Sequence, residues 1–152
     1  ANFACGCARA QRAQMRCLGL GASGDVCLSA ALQQCDLEDA MRGASARVEP
    51  WSGSPWALVR DLQDACANHG KVQLMCGAGR MAAVKRMPNA WITRGPSDFD
   101  ARHPKAKERP WMDIGLVQLL GKVHYPHVCR LYSIFRSGAE TFVASAFCEE
   151  GD

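Results

Sequence analysis

Three sets of residues in this chain have the types and spacing to do chemistry. Lys85 ends the apolar run Ala82-Ala83-Val84, and Asp113 sits in the first turn of a helical pattern that opens at Pro110. Together they offer a cation and a carboxylate able to orient one another. Cys27 stands at the start of another helical pattern, where the helix dipole lowers a thiol pKa, and His124 or His127 would serve it as a base. The third set is the nine cysteines themselves. Each set has a plainer alternative: a strand-end lysine reaching solvent, an acid favoured by the helix dipole, and small hydrophobic thiols.

The elements that must position these residues follow from periodicity. Between Gly70 and Lys85, Val72 and Leu74 alternate with Lys71 and Gln73, Gly77 and Gly79 supply a turn, and the run to Lys85 reads as the returning strand. Trp56–Leu62 reads as an earlier strand. From Pro110 to Lys122, Trp111, Ile114, Val117 or Leu116, and Leu120 share one helical face. Between Met87 and Arg109 lies a polar connection interrupted by Pro88, Pro96 and Pro104. Its Arg102, His103, Lys105, Lys107 and Arg109 would form either a basic docking patch or a solvated loop, and its Trp91 is expected to tuck onto the rest of the domain.

In this order the chain resembles the small lobe of a serine/threonine protein kinase. The run AAVK is similar to the V-A-I-K strand, and HYPHVCRLYSIF followed by ETFVASAFCEEGD looks like the passage from the end of the lobe's helix through two strands into the hinge. The wording PWMDIG, YPHVC and EEGD is similar to alveolate protist kinases of the calcium- or cyclic-nucleotide-dependent type. The resemblance implies an α+β fold with about five antiparallel strands and one helix facing the lysine. It implies residues 51–152 as the lobe and residues 1–50 as a mostly helical, cysteine-bearing extension docked on it. It makes Lys85 the phosphate-binding lysine, Asp113 its helix partner with Glu108 as the fallback, and Ser145 the gatekeeper. By the same resemblance Gly70, Val72 and Ala83 lie against the nucleotide, Ala146 and Phe147 supply backbone to adenine, and Asp152 reaches the ribose. The cofactor implied is ATP with Mg²⁺, and no resident metal is predicted.

The sequence departs from that pattern at one place and lacks it at others. Where the kinase loop reads G-x-G-x-x-G-x-V, this chain has Ala65, Ala67, Gly70 and Val72, so two methyl groups stand where backbone should approach phosphate. Asp113 is one methylene shorter than the usual glutamate. These residues contain no H-R-D-L-x-x-x-N, D-F-G or A-P-E motif. A half-site that faces nucleotide but is not catalytically competent by itself is therefore expected, with protein partners that supply the rest. The alternative from another class is a non-catalytic scaffold subunit of a larger assembly. A third is a thiol hydrolase: SGDVCLSAAL resembles the Cys-bearing helix entry of papain-like and ovarian-tumour-type proteases, with Cys27 as nucleophile.

Composition excludes more than it assigns. With 48% hydrophobic and 22% charged residues the chain is expected to fold. No apolar run reaches the roughly 18 residues of a membrane helix, and a net charge of +3 is too small to argue for nucleic acid. Cys5, Cys7, Cys17, Cys27 and Cys35 lack a familiar zinc spacing, and Cys66, Cys76, Cys129 and Cys148 read as buried, reduced thiols inside strands. Arg9, Arg12 and Arg16 recur in an acid-free start that reads as transit-peptide-like or as a basic surface helix. A helix follows from Asp25, with Ser23 or Asp25 as N-cap, Leu28, Ala31, Leu32 and Cys35 on one face and Gly43 as its stop. An intracellular, reducing compartment is expected, in the cytoplasm or in a plastid or mitochondrion.

Overall fold

Gly79 turns the chain with φ +72°, a left-handed backbone conformation that glycine takes without strain, and the two strands it joins are the centre of the fold. A computed structural model describes residues 34–52, 56–65, 70–77 and 79–149. Strand β3 (Gly70–Gly77) runs into that turn and β4 (Arg80–Pro88) returns from it, paired from Gly77↔Arg80 to Lys71↔Arg86. Strand β2 (Ala57–Ala65) precedes them and pairs antiparallel with β3. The remaining elements are α1 (Gln34–Ala46), β1 (Val48–Pro50), α2 (Asn89–Ile92), α3 (Pro96–Arg102), α4 (Pro110–Lys122), β5 (Leu131–Arg136) and β6 (Glu140–Ala146).

Among the described residues the architecture is α+β, a six-stranded mixed sheet in the order β1-β5-β6-β4-β3-β2 with four helices. The expected five antiparallel strands are present as β2 to β6. The sixth, β1, runs parallel to β5, with Val48 opposite Ile134. It leaves α1 through the single residue Arg47, whose guanidinium donates to the Gly43 carbonyl at 3.1 Å and satisfies a helix-end acceptor. The sheet thus begins before residue 51.

Helices cover one face of the sheet. Met87, Ile134 and Val143 from the strands pack with Ile92, Phe99, Trp111, Ile114 and Ala44 in one buried cluster. On the other face Met75, Ala82, Val84, Phe142 and Ala144 form a second cluster, closed by Trp51, Trp56, Tyr132 and Phe135. Trp51 stacks on Phe142 with ring centroids 4.3 Å apart. Burial on both faces is why Val72, Gln73, Leu74 and Met75 are all buried in sequence rather than alternately.

Three expectations are corrected here. Gly43 does not end α1, which continues to Ala46 because Ala44 beyond it is buried in the core. The connection after Met87 is no plain loop: β4 runs to Pro88, and α2 and α3 follow, contributing buried Ile92 and Phe99. Cys76 and Cys148 are exposed and Cys129 is half-buried, so these thiols are not core residues. Trp91 packs as expected, edge-on to Phe99 at 5.3 Å. Residues 1–33, with Cys27 and the arginine-bearing start, lie outside the described residues, as do residues 66–69 and 150–152.

Candidate functional site

Residues paired directly across an antiparallel ladder share a face of the sheet, so the register sorts the candidates. Val72, Lys85 and Val143 form one row across β3, β4 and β6, and Leu74, Ala83 and Ser145 form the next. Both rows lie on the helix side. Lys85, Val143 and Ser145 line a cavity of about 250 Å³ between the sheet and α4, which Asp113, Ile114, Val117 and Leu120 close from above. His127, Cys129 and Leu131, from the α4–β5 connection and the start of β5, complete its wall.

Helix α4 reaches this position because it is apolar around most of its circumference. Trp111, Ile114, Gly115 and Leu119 are buried, while Leu116, Val117 and Leu120 turn to the cavity. The Trp111 indole N–H donates to the Ile92 carbonyl at 2.7 Å, which fixes the first turn of α4 against α2. That turn carries Asp113. On the far side α4 is held by α1, so close that Gly115 has Met41 directly over it.

Protein atoms crowd the Asp113 carboxyl and raise its pKa, Lys85 draws it back down, and Glu108 pushes it up again. Asp113 is exposed as a residue at the rim, so the crowding that raises its pKa acts beside open solvent and is moderated by it. Both carboxylates considered as partners for Lys85 therefore belong to one electrostatic group. At about 250 Å³ the cavity falls below the roughly 300–1,000 Å³ of drug-sized ligand sites. It would take a small apolar group beside a polar Lys85–Asp113 end.

The remaining candidates flank this cavity. Gly70 is buried at the start of β3, opposite Ala65. Val72 is 7% exposed and Ser145 4% exposed, while Ala83, Ala146 and Phe147 are half-buried. The Ala146 backbone N–H is already donated to the Arg130 carbonyl at 2.8 Å. Asp152 and Ala67 fall outside the described residues. Of the basic residues of the connection, Arg102 pairs with Asp98 at 2.9 Å and Arg109 with Asp100 at 3.0 Å.

Sequence reasoning missed two features. One is a wider cleft of about 710 Å³ between α1, β1, the end of α4 and β5, lined by Arg47, Glu49, Lys122, His124, Arg130 and Tyr132. Nothing in the periodicity signals it, since its walls come from elements far apart in the chain. The other is the approach of Cys129 to Cys148, Sγ to Sγ 3.0 Å. Their nearly equal distance from the Ser137-Gly138 turn was the available signal. Among the described residues no three or more His, Cys, Asp or Glu side chains gather to hold a metal, and no helix is long and apolar enough to cross a membrane. Comparison with protein-family models, with curated proteins and with solved structures finds no match.

Proposed function

We propose that this chain is the ATP-facing small lobe of a serine/threonine protein kinase or pseudokinase, a partial domain that does not carry out phosphoryl transfer by itself. The observation that carries the reading is Lys85 on the central strand β4, facing Asp113 across the cavity under α4. The resemblance calls for three antiparallel strands, a helix over the third strand's lysine, and two further strands leading into a hinge. Strands β2, β3 and β4, helix α4, and strands β5 and β6 follow in that order. Nucleotide would lie along Gly70, Val72 and Ala83 with its phosphates toward Lys85. The 250 Å³ cavity behind Ser145 is too small to be the whole site.

A second reading, a non-catalytic scaffold subunit, is favoured by two observations. The Ala146 N–H at the hinge position is occupied by Arg130, and Gly70 is buried in a ladder rather than poised over an open groove. ATP separates the two. Thermal unfolding of the full chain is followed with and without Mg·ATP, for wild type and Lys85→Ala. A ligand at 100 times its Kd stabilises by about 2.7 kcal/mol, a shift of several degrees. The kinase-lobe reading expects that shift in wild type and its loss in Lys85→Ala. No saturable shift in wild type, or an equal one in both, overturns it and leaves the scaffold reading.

A further inference from the structure

We propose that Cys129 and Cys148 are a thiol pair that hydroperoxides oxidise to a reversible intramolecular disulfide, pinning the exit of β6 to the connection that walls the cavity. Their sulfur atoms lie 3.0 Å apart. A disulfide needs about 2.05 Å, so bond formation asks for roughly 1 Å of further approach.

The backbone holds that approach in place. Leu131 pairs with Ser145, and beyond the last ladder pair the Ala146 N–H still bonds to the Arg130 carbonyl at 2.8 Å. Cys129 directly precedes Arg130, and Cys148 lies two residues beyond Ala146, past Phe147, where the ladder has ended and the two sulfur atoms meet. Cys148 is exposed and Cys129 half-buried against the cavity. This division suits a peroxide-reactive thiol and a resolving thiol. Cys76, also exposed, provides the contrast: it pairs with Ala57 and Met81 and faces no thiol across either ladder.

The chemistry balances with one hydroperoxide. The Cys148 thiolate attacks the peroxide, the O–O bond breaks, and a sulfenic acid forms with release of water or an alcohol. The Cys129 sulfur then displaces hydroxide from that sulfur, which leaves as water after protonation, and the S–S bond forms. Two thiols are oxidised and one peroxide is reduced. Two equivalents of a small thiol such as glutathione reverse the step. The inference stands independently of whether nucleotide binds.

Trypsin separates the two residues, because Lys122, Arg130 and Arg136 place Cys129 in peptide 123–130 and Cys148 in peptide 137–152. The full chain, first reduced, is treated with one equivalent of hydrogen peroxide, alkylated, digested and mapped by mass. The expected result is a linked pair of those peptides, two hydrogens lighter than their sum and split by dithiothreitol, as the dominant cross-link. The same treatment in denaturant should scatter the cross-links among the other cysteines. In Cys129→Ser, Cys148 should pass to sulfinic acid at peroxide levels that leave wild-type Cys148 bridged. A dominant link from Cys148 to any other cysteine overturns the proposal, as does wild-type Cys148 reaching sulfinic acid as readily as it does in Cys129→Ser. The wild-type map decides the matter even if the variant folds poorly.

Discussion

A Cβ on Gly115 would lie 2.5 Å from Met41 Cγ and 3.2 Å from the Met41 backbone nitrogen, so α1 and α4 cross at a point where one side chain has to be missing. Alanine at an ordinary helix position is worth up to about 1 kcal/mol over glycine. Here overpacking, typically about 1–3 kcal/mol, reverses the sign. Gly115→Ala should lower stability in urea denaturation. Gly121→Ala on the same helix, with nothing within 4 Å of its Cβ, should hold or raise it.

Trp111 is 1% exposed and its N–H is bonded to the Ile92 carbonyl. Trp111→Phe removes that donor, leaves the Ile92 carbonyl with the Thr93 hydroxyl alone, and opens space in the core. A loss of about 2 kcal/mol or more in denaturant midpoint analysis is expected, without loss of helix content by circular dichroism.

Asp113 gives stability a pH dependence of definite sign. Its pKa is raised in the fold above the ordinary 3.8, chiefly by crowding, so the folded state holds the proton more tightly than the unfolded chain. That contribution is favourable at low pH and is lost as pH rises from 3.8 through the folded pKa. Asp113→Asn should therefore be more stable than wild type near neutrality, with the difference shrinking toward about pH 3. Urea titrations across that range test it, and a variant less stable at neutrality would mean that Lys85 outweighs the crowding.

Two ion pairs should differ in worth. Arg86 pairs with half-buried Glu140, donates to Gln73 at 3.2 Å and lies over the Phe142 ring, whereas Arg42 pairs with Asp39 on the open surface of α1. Glu140→Gln is expected to cost about 1–2 kcal/mol by leaving a partly desolvated guanidinium short of its charge. Asp39→Asn should leave stability almost unchanged, because solvent screens the exposed pair. A double-mutant cycle on each pair measures both.

Much of the scaffold around the cavity could be read from the sequence, and particular residues show why. The β3–β4 hairpin carried a turn glycine and an apolar run, and α4 carried an apolar face, so Lys85 and Asp113 were placed on the right elements. Gln73 misled: it alternates with Val72 and Leu74 as a solvent-facing residue would, yet it is buried and bonded to Asp61 and Arg86. A sheet covered on both faces obeys no polar alternation. The short helices α2 and α3 were hidden because their prolines and charges resemble loop composition, and their stability comes from Ile92 and Phe99 meeting the core. The three residues of β1 are too few to show any period, and only β5, distant in sequence, makes them a strand.

The sheet's two borders are guarded against unwanted strand addition in different ways. At one, β1 offers three residues and finishes in Pro50, which has no N–H to lend a visiting chain. At the other, β2 is long and exposes Leu58 and Val59, a surface that would recruit a second molecule if it were flat. Register shifts after Leu58 and after Asp61 break its regularity, and Arg60, Asp61 and Asp64 place charge along it. The same irregularity that interrupts the β2–β3 pairing makes this border a poorer template for a further strand.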